Sequence, residues 1–441
     1  MKLVRIGLTG KDLLSLSNPK VLVTVSCPAH IAIGDSIDEI KGPGKSSQMP
    51  AHSDAVSSLV VSAKENHILL SGISKKTKWL SITPEKANAV LTVQVDGNAQ
   101  RTYHGRLLIT ALENNVRVLV ETDLDDYVKG VLNSEMPASY LLEALKAQAV
   151  CARTYALRPR VNHTLDDCNV CDSYLCCQCF LGIDEHLTLK QQEAVEKTAG
   201  EILMYDNQPA LALFSSCAGG HTEDYENCFS DLNTNAFPGT PIPYLKGVAE
   251  SKSETNLANS KNGEELVRAL WQSDNPGTVD AGSPKFKWHL RIPAGELDSH
   301  LHNTIESMLA TKDQAPFVIP PSSSIFGHID SFNIDERGVA GTALSMSVKT
   351  SKGIWQFKKE LIIRSVFKNT VSGIKRLNSA RIFFTHNRYS NGLLSDLEIC
   401  GLGFGHGVGL QQIGAQGWAK ANFSYRSILN HYFQGCQVVS I

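Results

Sequence analysis

Residues 123–157 read DLDDYVKGVLNSEMPASYLLEALKAQAVCARTYAL, and the rest of the chain is understood outward from them. Asp123, Asp125 and Asp126 open the stretch, and Pro137 closes its first half. Carboxylates favour the positive end of a helix, and proline cannot continue one, so residues 123–137 are predicted to form a helix stopped by Pro137. The run from Ser139 to Leu157 is rich in alanine and leucine. It is expected to form a second helix, with Ser139 as N-cap. From Leu141 to Leu157 the only charges are Glu143, Lys146 and Arg153, so most of this helix's surface is suited to burial.

On the N-terminal side, KVLVTVSC (20–27), HILLSGI (67–73), AVLTVQVDG (89–97), GRLLITAL (105–112) and VRVLVET (116–122) are short apolar or alternating runs between polar turns. They read as strands, making residues 1–121 a β-rich region. On the other side come a cysteine cluster, an amphipathic helix near LKQQEAVEKTAG (189–200), and a hairpin in EILMYDNQPALALFSS (201–216) turning at Asp206 to Pro209. Residues 122–250 form a helical core on this reading. Residues 251–285 are polar and read as an insertion or mobile excursion, and residues 286–441 add more strands and helices. The predicted fold class is α+β, a helical catalytic core with β-rich flanking regions and a long polar insertion.

The chain has 441 residues, 42% hydrophobic and 20% charged, with a formal net charge of −2. That length suits two or three domains. The near-neutral charge supplies no field toward nucleic acid or anionic lipid, which disfavours a nucleic-acid binder. No stretch approaches a membrane span. The opening MKLVRIGLTGKDLL lacks the apolar core of a signal peptide, so no export signal is expected in it.

Glu135 falls in the last turn of the first helix. A helix C-terminus opposes a carboxylate's negative charge and favours its protonated form, which is what a general acid needs. Lys146 and Arg153 lie two turns apart on one face of the second helix, a candidate pocket wall facing an anion. Near the end of the chain, GLGFGHGVGLQQIGAQGWA (401–419) has glycine at every second position from Gly401 to Gly409. Read as extended, it leaves one face bare and puts Leu402, Phe404, His406 and Val408 on the other. Its spacing fits no nucleotide-binding loop. SSCAGGHTE (215–223) ends an apolar run in a glycine turn, without the surroundings of a serine triad. Eleven cysteines include five between residues 168 and 179. HTLDDCNVCDSYLCCQCF (163–180) brings thiols and an imidazole together at short spacing, as tetrahedral zinc requires. Cys168, Cys171, Cys176 and Cys179 form one possible ligand set, and the isolated cysteines are expected to be buried thiols.

The helix pair, LFSSCAGGHTE (213–223) and the glycine-rich stretch resemble the SpoIID/LytB family, with weaker echoes in VRIGL, PYLKGV, FKWHLRI and LNSARIFF. The resemblance implies a peptidoglycan lytic transglycosylase, a carbon–oxygen lyase that prefers glycan strands stripped of stem peptides. It implies Glu135 as the catalytic acid. It implies Lys146, Arg153, Ser215, Ser216, His406 and Gln412 as substrate-binding residues, the two cations meeting the lactyl carboxylate of muramic acid. It implies a structural zinc held by His163, Cys171, Cys176 and Cys177. The implied location is the cell wall or periplasmic space, with a cell-wall amidase acting first. The alternative it carries is a non-catalytic enhancer of an N-acetylmuramoyl-L-alanine amidase.

Overall fold

The computed structural model describes residues 2–38, 58–70, 76–159, 163–183, 187–231, 234–253, 256–371 and 373–441. The chain divides after Leu211 into two compact units, with Val438–Ile441 returning to the first. That division falls inside the 122–250 span that the sequence reading kept together. The tail of the run at 67–73 lies beyond Leu70, outside the described residues.

In the first unit, the strand Asn115–Asp123 pairs antiparallel with Leu3–Gly7 on one side and Arg106–Leu112 on the other. They are central to a six-stranded sheet in the order Val170–Cys171, Leu3–Gly7, Asn115–Asp123, Arg106–Leu112, Trp79–Pro84, Ala29–Gly34. A five-stranded sheet runs His67–Leu70, Ser58–Lys64, Lys20–Val25, Leu91–Val95, Arg101–Tyr103. Period-2 burial in Lys20–Val25 and Leu91–Val95 is what one covered face demands.

The strand Asn115–Asp123 runs straight into helix α1, Leu124–Glu135. The Asp123 carboxylate accepts the Asp125 N–H at 2.9 Å, a cap worth about 1 kcal/mol. Met136 leaves the helix in an extended conformation (φ −127°, ψ 135°), as a residue before proline prefers. Helix α2, Leu142–Leu157, begins three residues after Ser139; Leu141 is its N-cap and makes no side-chain cap bond, so Ser139 does not cap it. Leu145 and Val150 are fully buried. Truncating either to alanine is expected to cost about 2–4 kcal/mol. Helix α3, Leu189–Glu196, starts with a capping box between Thr188 and Gln191. The hairpin Glu201–Tyr205 with Gln208–Pro209 turns through Asp206 and Asn207, both at positive φ (47° and 59°). Such residues tolerate that conformation well.

The second unit holds an antiparallel sheet, Lys287–Pro293, Leu394–Leu402, Ile382–Arg388, and a four-stranded one, Val318–Ile319, Gly353–Lys358, Ala343–Thr350, Ile329–Arg337. Its helices are α4 (Leu257–Ser260), α5 (Gly263–Gln272), α6 (Ala294–Leu309), α7 (Glu360–Val366), α8 (Gln412–Lys420) and α9 (Tyr425–Tyr432). Residues 251–285 thus contain two helices. Leu266, Val267 and Leu270 of α5 join a buried cluster with Cys217, Phe286, Phe383, Cys400 and Leu402. Their polar neighbours face outward, which is why composition alone made the segment read as an excursion. No helix is long and apolar enough to cross a membrane among the described residues.

Candidate active site and metal cluster

Glu135 is the last residue of α1 and is half-buried. Its Oε1 accepts the backbone N–H of Cys179 at 2.7 Å. A charge-assisted bond of this length fixes the carboxylate. The preceding turn is tied to the same segment, because Ser134 Oγ accepts the Leu181 N–H (3.3 Å) while donating to the Gly130 carbonyl (2.7 Å). α1 can approach this closely because residue 130 is glycine: a Cβ there would fall 2.6 Å from the Gly182 carbonyl oxygen.

The segment that grips Glu135 is the cysteine loop. Its strand Val170–Cys171 pairs parallel with Leu3–Gly7, and Asp172 N–H continues the pairing to the Gly7 carbonyl at 3.0 Å. Buried Asp172 accepts from Thr9 N–H (2.9 Å), Thr9 Oγ1 (2.7 Å) and Arg101 (2.8 Å), which locks the loop to the sheet. Beyond it the chain turns back, with Cys177 N–H donating to the Ser173 carbonyl at 2.8 Å.

That turn gathers His163, Cys171, Cys176 and Cys177, whose ligand atoms all lie within 4.8 Å of one another. The two sulfurs of Cys176 and Cys177 are 3.9 Å apart, and His163 Nε2 is 3.5 and 3.3 Å from them. Thiolates about 2.3 Å from a zinc ion at tetrahedral angles stand about 3.8 Å apart, so the donor set fits that metal. Asp166 Oδ2 lies 3.0 Å from His163 Nδ1, so Nδ1–H donates to it and Nε2 is turned to the cluster. The hydrogen bonds from Cys176 and Cys177 hold the Cys171 thiol far above the ordinary range, while its bond to Cys171 holds Cys176 far below. These side chains form a candidate His/Cys metal cluster. Cys168 and Cys179 stand outside it. Cys168 touches His163 but packs with Trp79, Leu108 and Leu119, and burial together with the Glu135 charge pushes the Cys179 thiol up to about 11.

Both cations of α2 have carboxylate partners. Arg153 has no exposed surface; its Nε and Nη2 donate to Asp125 Oδ1 at 2.9 and 2.7 Å, and Nη1 donates to the Glu201 carbonyl at 3.1 Å. It joins α1 to the strand behind α2 and does not line a pocket wall, contrary to the expectation from spacing. Lys146 Nζ pairs with Glu143 Oε1 at 2.5 Å, one turn earlier on the same helix.

In the second unit, the glycine-rich stretch is not the extended strand expected from its periodicity. The strand ends at Leu402, and Gly403, Gly405, Gly407 and Gly409 all have positive φ (77°, 107°, 77° and 71°). Alternation therefore fails. Leu402 and Val408 are buried, whereas Phe404 is 39% exposed. A Cβ on Gly405 would meet Ser215 Cβ at 2.7 Å, and one on Gly403 the Cys217 carbonyl at 2.6 Å. The glycines let this stretch lie backbone to backbone on residues 215–218, where Cys217 and Phe404 exchange both main-chain bonds (3.1 and 2.9 Å).

His406 is held at both ring nitrogens. Nδ1 accepts the Val408 N–H at 3.0 Å, so the ring's proton sits on Nε2 and is donated to the Phe214 carbonyl at 3.1 Å. Burial pushes its pKa down to about 4, leaving it neutral at physiological pH. Ser215 Oγ donates to Gln411 Oε1 (2.8 Å) and accepts the Gly407 N–H (3.1 Å), so Ser215 and His406 brace the turn. Gln411, fully buried, is the partner; Gln412, which sequence reasoning favoured, begins α8 beside it. Ser216 faces outward and its Oγ accepts from Lys285 Nζ at 3.1 Å. Sequence reasoning missed Asp125, Asp166 and the Cys179 amide. Asp166 had a faint signal, an acid three residues after the cluster's histidine. The amide had none, because a backbone donor carries no side-chain signature.

A mixed α+β protein with a glutamate fixed by the loop of a candidate His/Cys metal cluster is the class these features define. Residues 112–205 match the family model described as Stage II sporulation protein (SpoIID), and residues 231–409 match a domain of unknown function, DUF8618. An uncharacterized protein of Brachyspira hyodysenteriae is 28% identical over 411 residues, covering 91% of this chain and 88% of that one. The amidase enhancer of Bacillus subtilis is 29% identical over 320 residues, 71% of this chain and 40% of that protein. Stage II sporulation protein D of Bacillus subtilis is 28% identical over 328 residues, 71% and 74%. Over residues 112–205 the chain is thus similar to the SpoIID family, and over most of its length it is similar to relatives named stage II sporulation protein D and amidase enhancer.

Proposed function

We propose that this chain is a lytic transglycosylase of peptidoglycan, acting on glycan strands stripped of their stem peptides. The observation that carries the reading is the Glu135 carboxylate held at 2.7 Å by the Cys179 amide. Most glycosidases use two carboxylates, one of them to activate water or attack the sugar. A transglycosylase needs one, because the muramic sugar's own C6 hydroxyl is the nucleophile. Glu135 in its acid form gives its proton to the glycosidic oxygen as the C1–O bond breaks. The resulting carboxylate takes the C6 hydroxyl proton as O6 bonds to C1. No water is consumed, and the product ends in a 1,6-anhydro ring. The Cys179 N–H stays on Oε1 throughout and keeps the group oriented.

His163, Cys171, Cys176 and Cys177 would hold zinc. A four-ligand site has no open position, so the ion would act by holding the loop. The reaction implies action at the cell wall or in the periplasmic space, after an amidase has removed the stem peptides.

The name of one similar protein, an amidase enhancer, favours a second reading, in which the chain binds the wall and stimulates an amidase without cleaving glycan. Digestion of purified denuded glycan strands separates the two. New anhydro ends that vanish in Glu135→Gln support the lyase. Binding without new ends, with faster amidase turnover, supports the enhancer.

A further inference from the structure

Lys285 sits in a short turn, closed by Phe286 N–H to the Ser283 carbonyl (2.9 Å), just before the strand Lys287–Pro293. Its side chain is exposed, and no ion pair holds it among the described residues. It is nonetheless fixed in place. Nζ donates to Ser216 Oγ at 3.1 Å and stands 4.9 Å from the centre of the Phe404 ring. Phe404 is exposed only because Gly403 and Gly405 curl the chain and the main-chain pairing with Cys217 clamps it beside Ser216. Three segments, at 216, 285 and 404, thus present a hydroxyl, a cation and an apolar ring on one patch of the second unit.

We propose that Lys285, Phe404 and Ser216 form a subsite for a carboxylate-bearing sugar, the muramic acid of a denuded glycan strand. The proposal rests on the glycan reading above. The lactyl group of such a sugar carries a carboxylate and a methyl group. The carboxylate bonds the Lys285 ammonium, the methyl and ring C–H groups rest on Phe404, and Ser216 meets a sugar hydroxyl. A free lysine side chain loses rotamer freedom when immobilised. Here the serine and the ring have already ordered it, which favours binding. A stem peptide in amide linkage removes the negative charge, so this subsite selects denuded strands. It supplies a cation that Arg153, fully buried against Asp125, does not.

The test is calorimetric binding by the full chain carrying Glu135→Gln, which prevents turnover. The probes are a denuded glycan oligosaccharide and the same oligosaccharide with its lactyl carboxylates converted to amides. The expected result is a preference for the carboxylate form that Lys285→Met abolishes, weakening that probe by about tenfold and leaving the amide form unchanged. Lys285→Arg retains the preference, and Phe404→Ala weakens both probes. A preference that persists in Lys285→Met overturns the subsite alone. A parent that binds neither probe overturns the glycan reading and the subsite with it.

Discussion

Arg153 shows how a side chain of one chemical type can serve two incompatible purposes. Fully buried and bonded to Asp125 and the Glu201 carbonyl, it is a structural cation. Removing it strands Asp125, itself 34% exposed, so the loss is at the lower end for a buried pair. Arg153→Met is expected to lower unfolding free energy by about 2–3 kcal/mol in urea titration, with the folded fraction still preferring denuded glycan. Unchanged stability with a lost preference would return Arg153 to recognition. His406 makes a second prediction at this scale. Its folded pKa of about 4 lies below the unfolded value of about 6.5, so the unfolded state binds more protons between them. Stability is therefore full above about pH 6.5 and falls as the pH drops toward 4, by roughly 3 kcal/mol from this residue. His406→Gln should flatten that part of a stability–pH profile.

The cysteine loop is the element on which Glu135 depends. Its amide donor at Cys179 lies two residues beyond Cys177 of the cluster. Cys176→Ser is expected to abolish the uptake of about one zinc per chain, measured by elemental analysis. It should also open residues 163–183 to limited proteolysis and lower glycan cleavage. Full activity in a metal-free preparation would separate the cluster from the acid. The sequence revealed this element well, since thiols and an imidazole at short spacing have few other uses. It could not rank the ligands without the fold, which packs Cys168 against an apolar cluster and leaves Cys179 out of the group of close ligand atoms. The glycine stretch was legible as a close-approach surface and misleading in its conformation. Period-2 glycine usually marks one face of a strand, whereas here each glycine from Gly403 to Gly409 takes positive φ. Side-chain positions then follow the curl and not the alternation.

At the scale of the whole chain, strand runs, the helix pair and the α+β class were readable because each rests on local periodicity. The division after Leu211 was not, since it falls just past a hairpin whose residues look continuous on both sides. The burial of α5 was hidden by the polar residues around its three core side chains. In the second unit, burial also pushes His221 and His431 down to about 4. Acid should therefore unfold this unit below about pH 6 more steeply than His406 alone requires, which differential scanning at stepped pH would register.

The measurement that bears most directly on the function is mass analysis of products from denuded glycan strands incubated with the chain and with Glu135→Gln. The expected result is 1,6-anhydro-muramic ends from the parent and none from the variant. Reducing ends without the anhydro ring, or equal cleavage by the variant, would contradict Glu135 as the single acid/base of a lytic transglycosylase.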